Sequence, residues 1–291
     1  MPDELPMYLS LRGKICLITG ATSGIGLVTA SALAGLGAEV VITGRRPARL
    51  EEALRRIRAE HPGAAVHSLL ADFADLDQVR RLAEEFIRRF NHLDVLVNNA
   101  GAYFNQRHPT RYGGVERTLV VNHLAPFLLT HLLLDQLIAS APARVVNVSS
   151  GAHKTATLDF DDLGFSRGYY GMKAYSRSKL ANILFTYELA RRLESSGVTA
   201  NAVNPGMVAT DIWSTNFFIF GPLIKGYIRL TGLTPEQGAK LLIYLAASSE
   251  VEGVSGAYFS RGKAMRSSAL TYDKEIAGRL WQLSEEITGL R

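Results

Sequence analysis

The sequence predicts an α/β fold in which a parallel sheet of about seven strands is covered by helices on both faces. Short apolar runs alternate with longer helical stretches along the chain. The strand candidates are almost continuously apolar, which is typical of strands buried on both faces of a parallel sheet. No linker, repeat or low-complexity segment interrupts this alternation, so residues 1–291 are predicted to form a single domain.

The predicted elements follow one another in a strand–helix order. Runs of strand length and composition are found at Lys14–Thr19, Glu39–Thr43, Ala65–Leu70, Leu93–Val97, Arg144–Val148, Thr199–Val203 and Gly256–Phe259. Helices are predicted from the first glycine-rich turn to Leu36, where Gly37 ends the helix, and over Arg49–Glu60, Leu76–Phe90, Val115–Ala139, Gly171–Glu194 and Pro235–Ser248.

Composition excludes several classes of protein. Of the 291 residues, 47% are hydrophobic and 20% charged, which suits a globular chain with a large core. The only cysteine, Cys16, can form no intrachain disulfide and is expected in the core. Met1–Arg12 lacks an apolar core of signal-peptide length, so a cytoplasmic location is expected. The net charge of +5 is spread along helices, and no nucleic-acid partner is predicted.

A glycine-rich turn follows the first predicted strand. Gly20, Gly24 and Gly26 would let the backbone approach a pyrophosphate, which binds the amide groups of a helix N-terminus. The spacing Gly-x-x-x-Gly-x-Gly differs from the commoner Gly-x-Gly-x-x-Gly, and glycine also serves ordinary turns. Its position between a strand and a helix favours a nucleotide site on a Rossmann-type doubly wound sheet.

The end of the second predicted strand bears on the choice of dinucleotide. A site for NAD tends to carry an acid there, which accepts a hydrogen bond from the ribose 2′-OH. This chain has Arg45 and Arg46, and a guanidinium can bind a 2′-phosphate with two donors. We predict NADP(H), with Arg45 as the first contact and Arg46 as the second. The alternative is that both arginines open the next helix, where the helix dipole makes a positive charge slightly unfavourable.

Polar residues follow nearly every predicted strand. They are Thr22–Ser23, Arg45, Asp72, Asn98–Asn99, Ser150 and Asn204. Each could belong to an ordinary turn, but the carboxyl ends of parallel strands meet at one edge of the sheet, where ligands bind. The sequence therefore predicts a binding site along this edge.

Tyr175 and Lys179 lie four residues apart in a predicted helix, so their side chains share one face. A nearby ammonium favours the phenolate, so we expect a lowered pKa for Tyr175, which would make it a usable proton donor and acceptor. For an isolated pair at this spacing, two neighbours on a solvated helix face would be the better interpretation. The other motifs of this chain favour the chemical one.

With these motifs the chain resembles the short-chain dehydrogenase/reductase family over nearly its whole length. The glycine turn from Thr19 to Gly26 is similar to the family's cofactor turn, and Asn98-Asn99-Ala100-Gly101 to its motif after the fourth strand. Ser150, Tyr175, Lys179 and Asn122 resemble its catalytic tetrad. The 25-residue distance from Ser150 to Tyr175 matches the family, which leaves Ser149 pointing into the fold.

The resemblance implies hydride transfer between a nicotinamide and a carbonyl or alcohol carbon. Tyr175 would exchange the proton, Lys179 would bind the nicotinamide ribose, and Ser150 would hold the substrate oxygen. The implied cofactor contacts are Gly20, Thr22, Ser23, Gly24, Ile25, Gly26, Arg45, Arg46, Asp72, Asn98, Asn99, Ala100, Tyr175, Lys179, Pro205, Gly206, Val208 and Thr210.

Asn122 lies four residues before Pro126, inside a predicted helix. Proline has no N–H for the carbonyl of Asn122, so the helix is expected to kink there. The family resemblance implies that this carbonyl holds a water that relays protons to the lysine. His123, His131 and His153 have no partners at metal-ligand spacing, and no metal is predicted.

Within the family, the chain is most similar to the retinol-dehydrogenase-like group, which acts on retinoids, steroids and other lipophilic carbonyls, generally with NADP(H). The runs Val121-Asn122-His123-Leu124 and Ser178-Lys179-Leu180-Ala181-Asn182 carry this similarity. Two features differ from this group: Gly113-Gly114-Val115-Glu116 replaces a motif usually opened by aspartate, and no N-terminal membrane anchor is expected before Leu11.

The apolar segment 212–230 could cover a lipophilic substrate, contact a membrane peripherally or contact a second subunit in a homo-oligomer. Gly221-Pro222, Lys225 and Arg229 interrupt it, which argues against a transmembrane span. We favour a substrate lid around residues 212–234, which would exclude water from the reaction.

Two other functions share these motifs. A cofactor-sensing protein without turnover would keep the fold, but it would not need the proton donor Tyr175. A reductase of carbon–carbon double bonds could use a similar tyrosine–lysine pair. The favoured prediction is an NADP(H)-dependent oxidoreductase that interconverts a carbonyl and an alcohol on a small lipophilic substrate.

Overall fold

A computed structural model describes residues 8–208 and 232–290. Eight strands form one sheet in the order β3-β2-β1-β4-β5-β6-β7-β8. The strands are β1 Ile15–Ile18, β2 Glu39–Gly44, β3 Val66–Leu70, β4 Val95–Asn98, β5 Ala143–Val148, β6 Val198–Asn204, β7 Tyr258–Ser260 and β8 Lys263–Met265. The pairs from β3 to β7 are parallel, and β8 is antiparallel to β7.

Helices cover both faces of the sheet. They are α1 Gly24–Gly35, α2 Pro47–Glu60, α3 Leu76–Arg89, α4 Arg117–Leu119, α5 Ala125–Leu132, α6 Leu134–Ala139, α7 Gly171–Arg192, α8 Pro235–Ala247 and α9 Lys274–Thr288. The predicted α/β class and doubly wound sheet are confirmed, with one strand more than predicted. No helix in the described ranges is both long enough and apolar enough to span a bilayer.

The central strand β1 shows why its sequence is continuously apolar. Ile15 and Leu17 face one side of the sheet, whereas Cys16 and Ile18 face the other. The first side packs against α3, α5, α7 and α9, and the second against α1, α2 and α8. Since successive side chains of a strand point to opposite faces, a strand covered on both sides needs apolar residues at every position.

The prediction of one long helix over Val115–Ala139 is wrong. The structure has the short α4, a π turn at Val120–Leu124, and then α5 and α6, which are separated at Leu133. In the π turn the N–H of Ala125 donates to the carbonyl of Val120, five residues back. Pro126 cannot donate a hydrogen bond, so the wider turn accommodates the missing donor where a kink was expected.

The edge strand β8 and helix α9 were not predicted. β8 is only three residues long, and its side chains are mostly exposed, so it has no apolar run. α9 begins after Asp273, which accepts from the N–H groups of Glu275 and Ile276, and it ends at Gly289 in the left-handed conformation. These two caps are sequence signals from which the helix could have been identified.

A buried polar chain joins strands to helices beneath the sheet edge. Nδ2 of Asn98 donates to Oγ1 of Thr130 at 3.0 Å and to Oδ1 of Asn147 at 2.8 Å. Nδ2 of Asn147 donates in turn to Oγ1 of Thr186 at 3.0 Å. The side chain of Asn98, predicted as a cofactor contact, therefore points into the fold, because its amide connects β4 with β5 and α5.

Replacing Asn98 tests this placement. Asn98→Ala removes both hydrogen bonds that Nδ2 donates and leaves Oδ1 of Asn147 buried without this donor, which should lower the free energy of unfolding by about 2 kcal/mol. Urea unfolding measures this change, and the exposed Asn91→Ala serves as the control. The Kd for NADPH should stay within about twofold of the native value, since the side chain does not face the cleft. A large loss of NADPH affinity with little loss of stability would show that Asn98 is a cofactor contact.

Candidate active site

A cleft of about 1760 Å³ runs along the carboxyl ends of the parallel strands. Pockets for one small molecule are typically about 300–1,000 Å³, so this cleft has room for a dinucleotide and a second ligand. The structure brings most of the predicted edge residues to its wall, namely Thr22, Ser23, Arg45, Asp72, Asn99, Ser150 and Asn204.

The glycine turn between β1 and α1 is packed too closely for larger residues. Gly20 has φ +65°, and a Cβ there would lie 2.8 Å from Cα of Ala100. A Cβ on Gly26 would lie 2.4 Å from Nδ2 of Asn99. That amide already donates to the carbonyl oxygens of Thr19 and Gly20 at 2.8 and 3.2 Å, so it cannot easily move aside. The conformation of this turn therefore requires glycine at positions 20 and 26.

Thr19 fixes the turn to the segment after β4. Its Oγ1 accepts hydrogen bonds from the backbone N–H groups of Asn99 and Ala100, at 3.0 and 2.9 Å. The hydroxyl also donates to the carbonyl of Val97 at 3.3 Å. These contacts place the glycine turn and the Asn99–Ala100 segment side by side on the cleft wall.

The N-terminus of α1 offers uncapped amide groups to the cleft. Ser23 occupies the N-cap position but makes no side-chain cap bond, and the first turn contains no acidic residue. The first N–H groups of a helix have no hydrogen-bond partner within the helix. Gly24, Ile25 and Gly26 all line the cleft, so their backbone N–H groups are available as donors there. Backbone donors and open space in this arrangement fit a pyrophosphate.

Arg45 and Arg46 lie at the carboxyl end of β2 and are exposed. A Cβ on the neighbouring Gly44 would lie 2.5 Å from Cγ2 of Thr22, which places this strand end against the glycine turn. Neither arginine pairs with a carboxylate in the described part of the chain. Two arginines without a carboxylate partner, next to a turn that fits a pyrophosphate, suit a dinucleotide that carries an additional 2′-phosphate.

The two serines after β5 point in opposite directions. Oγ of Ser149 is buried and donates to the carbonyl of Lys179 at 2.8 Å, which confirms that this serine faces the fold. Ser150 lines the cleft, and its Oγ accepts from the N–H of Ala152 at 3.2 Å. The hydroxyl of Ser150 is also close enough to the phenol of Tyr175 to lower its pKa. Ser150 is therefore the serine beside the predicted proton donor.

Tyr175 and Lys179 occupy one face of α7 and line the cleft, although both are largely buried. Nζ of Lys179 lies 5.6 Å from the centre of the Tyr175 ring and donates to the carbonyl of Val148 at 3.1 Å. Burial lowers the pKa of Lys179 to about 8, because a charged ammonium is poorly solvated there. Both side chains thus lie where the resemblance places them.

The predicted lowering of the Tyr175 pKa is wrong for this structure. Burial raises the pKa of Tyr175 to about 12, and the hydrogen bond from Ser150 lowers it by a smaller amount. The prediction considered the charge of Lys179 but not the loss of solvent around the phenol. Desolvation has the larger effect here because Tyr175 is enclosed by the helix and the strand ends.

Asn122 lies behind the tyrosine–lysine pair rather than on the described cleft wall. Its side chain donates to the carbonyl of Ala102 and to Oγ of Ser178, and it accepts from the N–H of Ala102 at 2.7 Å. A Cβ built on Gly101 would be 3.5 Å from both Oδ1 of Asn122 and Nζ of Lys179. Asn122 is thus close to Lys179 and holds the Gly101–Ala102 segment against it.

The remaining cofactor predictions fall at two ends of the cleft. Asp72 lines one end, and its Oδ1 accepts from the N–H of Ala74 at 2.9 Å. Pro205, Gly206 and Val208 line the other end with Asn204. Thr210 and residues 212–231 of the predicted lid lie outside the described residues.

The structure adds wall residues that sequence reasoning did not identify. Tyr103, Phe104, Val121 and Met172 line the cleft beyond Tyr175, and the ring centres of Tyr103 and Tyr175 are 6.1 Å apart. Tyr103, Phe104 and Met172 belong to no recognisable motif, so only the folded chain brings them to the cleft. In the described ranges, no three His, Cys, Asp or Glu side chains are grouped so as to hold a metal ion.

Comparisons with known sequences agree with this geometry. A family model described as short chain dehydrogenase matches residues 14–217. Retinol dehydrogenase 14 of Homo sapiens is 44% identical over 298 residues, which cover 96% of this chain and 88% of that protein. Polyprenol dehydrogenase of Homo sapiens is 39% identical over 291 residues, covering 98% of this chain and 88% of that protein.

Solved structures share the architecture. A crystal structure of an uncharacterised protein from Mycobacterium paratuberculosis has a TM-score of 0.77 and 32% identity, covering 97% of this chain and 96% of that one. A candidate NAD(P)-dependent gluconate 5-dehydrogenase from Beutenbergia cavernae, with bound NADP at low occupancy, has a TM-score of 0.68 and 28% identity. That alignment covers 86% of this chain and 95% of the other.

The lowered pKa of Lys179 predicts a specific pH dependence of stability. Between the folded value of about 8 and the ordinary value of 10.5, the unfolded chain keeps a proton that the folded chain has released. Raising the pH above about 8 therefore stabilises the fold. Between pH 7 and pH 9 the free energy of unfolding should increase by about 1 kcal/mol. Lys179→Met should lack this increment. Urea unfolding of both proteins without nucleotide measures it, and equal slopes would contradict the assigned burial of the charge.

Proposed function

We propose that this chain, which belongs to the short-chain dehydrogenase family, is an NADP(H)-dependent oxidoreductase that interconverts a carbonyl and an alcohol on a lipophilic substrate. One observation carries the proposal. Ser150, Tyr175 and Lys179 line the same cleft as the glycine turn and the uncapped start of α1. A nucleotide site and an acid–base pair are therefore continuous with each other.

The charges at the end of β2 support NADP(H). Arg45 and Arg46 supply two exposed guanidinium groups, and no acid occupies the position after the strand. An acid would repel a 2′-phosphate, whereas a guanidinium can donate two hydrogen bonds to it. Asp72 lies farther along the same wall and would contact the base end of the nucleotide. The NADP described in the Beutenbergia cavernae structure is in keeping with this choice.

The bound nicotinamide would supply the hydride, and the chain supplies position and the proton. Oγ of Ser150 would hold the substrate oxygen next to the hydroxyl of Tyr175, whose pKa it already influences. Lys179 would bind the nicotinamide ribose. The carbonyl of Asn122, in the π turn before Pro126, would support the water that returns protons towards Lys179.

The raised pKa of Tyr175 bears on the direction of the reaction. With a pKa of about 12, the phenol keeps its proton at neutral pH, which is the form needed to protonate an oxygen during carbonyl reduction. Oxidation would need the phenolate, which burial disfavours. The phenol of Tyr175 therefore already holds the proton that carbonyl reduction would consume.

The walls beyond Tyr175 support a lipophilic substrate. Tyr103, Phe104 and Met172 form an apolar surface, and the cleft rim exposes Met207 and Leu233, at 55% and 38% of their surface. Apolar side chains grouped in a cleft are typical of sites that bind apolar ligands. The relatives named for retinol and polyprenol have substrates of this class in their names.

A panel of carbonyl compounds with NADPH tests the function. Bulky apolar aldehydes and ketones should give a higher kcat/KM than short polar ones. Tyr175→Phe should lower kcat by about 10²–10⁴-fold, because the proton donor is lost. The control is Tyr112→Phe, whose hydroxyl accepts from the N–H of Leu76 outside the cleft. Unchanged turnover in Tyr175→Phe, or reduction of alkenes but not of carbonyls, would overturn the proposal.

The cofactor choice is tested at the arginines. Arg45→Ala should raise the Kd for NADPH at least tenfold and leave the Kd for NADH nearly unchanged, since only NADPH carries the 2′-phosphate. Fluorescence titration measures both constants. Arg55→Ala, an exposed arginine on α2 away from the cleft, is the matched control. Equal affinities for NADPH and NADH in the native chain would contradict the assignment.

A further inference from the structure

Behind the cleft wall, the imidazole of His153 joins two segments that are far apart in sequence. His153 is completely buried. Its Nδ1 lies 2.6 Å from the carbonyl oxygen of Ser150, and its Nε2 lies 3.2 Å from the backbone nitrogen of Ser268. The two contacts connect the turn after β5 to the segment that precedes α9.

These two contacts require one state of the ring. The N–H of Ser268 can only donate, so Nε2 of His153 must accept and carries no proton. The carbonyl of Ser150 can only accept, so Nδ1 must carry the proton and donate. Burial lowers the pKa of His153 below its ordinary value, which keeps the ring neutral, as this arrangement needs.

His153 holds the main chain of Ser150 twice. Besides the bond from Nδ1, the backbone N–H of His153 donates to the same carbonyl at 3.2 Å. Ser150 is extended, with φ −159° and ψ 157°, and it is the N-cap of the turn Gly151–Thr155. The orientation of this peptide fixes the direction of the Cα–Cβ bond of Ser150, from which Oγ reaches its position by one rotation.

The far side of His153 is itself anchored. Oγ of Ser267 lies 2.8 Å from the hydroxyl of Tyr187 on α7 and 2.6 Å from Oγ1 of Thr271. The ring of Tyr258 on β7 contacts the imidazole edge to face, with centres 5.0 Å apart. Tyr187 of α7, the helix that also carries Tyr175 and Lys179, thus anchors the segment whose Ser268 N–H donates to the imidazole.

We propose that His153 is a positioning residue for the reaction, which sets the direction of the Ser150 hydroxyl by fixing the serine carbonyl from behind. The inference rests on the proposed function. It extends the set of residues on which turnover depends to one that does not line the cleft. The segment around Ser268 then acts as the support that keeps the imidazole in place.

Two substitutions separate the two bonds of the imidazole. In His153→Asn, the amide nitrogen replaces Nδ1 and can donate to the carbonyl of Ser150, but no acceptor reaches Ser268. In His153→Gln, the amide oxygen replaces Nε2 and can accept from Ser268, but no donor is left at the Nδ1 position. We expect kcat to fall about tenfold in His153→Gln with an unchanged Kd for NADPH, and to stay within about threefold in His153→Asn.

Hydrogen exchange supplies a readout that does not depend on turnover. Amides of residues 150–156 should exchange faster in His153→Gln, and amides of residues 266–272 faster in His153→Asn. His131→Asn and His131→Gln are the controls, because Nδ1 of His131 also contacts a backbone carbonyl, that of Phe127, but away from the cleft. Neither should change kcat.

The outcomes distinguish this inference from the proposed function. A native kcat in His153→Gln, or equal losses of kcat in both His153 variants, would overturn the positioning role while the oxidoreductase remains. Absence of carbonyl reduction by the native chain would rule out the proposed function. The hydrogen-exchange pattern alone would then test whether His153 links the two segments. If the two variants did not differ in the exchange rates of residues 150–156 or of residues 266–272, the link through His153 would be overturned.

Discussion

Burial of two ionisable side chains on one helix is the constraint on which the rest of the site depends. Lys179 and Tyr175 face strand ends rather than solvent, and burial disfavours the charged form of each. The carbonyl of Val148 and the hydroxyl of Ser150 offset part of that cost. A fold that only needed a stable helix would place apolar residues there. The arrangement is understandable if hydroxyl groups of a bound ligand accept further hydrogen bonds from the Lys179 ammonium, which donates to Val148.

The sheet and most of the cleft could be predicted because they follow from local patterns. A strand buried on both faces needs continuous apolar residues, and the glycine turn needs residues without Cβ. Parallel strands bring their carboxyl ends to one edge, so the polar residues after each strand could be placed together without any knowledge of side-chain contacts. Arg45, Ser150 and Asn204 lie on the cleft wall for this reason.

The wrong predictions concern features that depend on the three-dimensional surroundings of a residue. Asn98 and Asn99 are neighbours in sequence, but the pleat directs the first into a buried polar chain and leaves the second on the cleft. The π turn before Pro126 depends on how the helix recovers from a missing donor. The sign of the Tyr175 pKa shift depends on burial, which the spacing of tyrosine and lysine does not contain. His153 looked like an ordinary histidine because its two partners are three and 115 residues away.

Proton uptake on nucleotide binding tests the central claim most directly. If Lys179, with a pKa of about 8 in this structure, donates to the ribose of a bound dinucleotide, its charged form is stabilised and its pKa rises. Calorimetric titration of NADPH near pH 8.5, in two buffers that differ in ionisation enthalpy, counts the protons taken up. The native chain should take up a large fraction of one proton, and Lys179→Met should take up none. Equal proton uptake by both proteins, or none by either, would contradict the account.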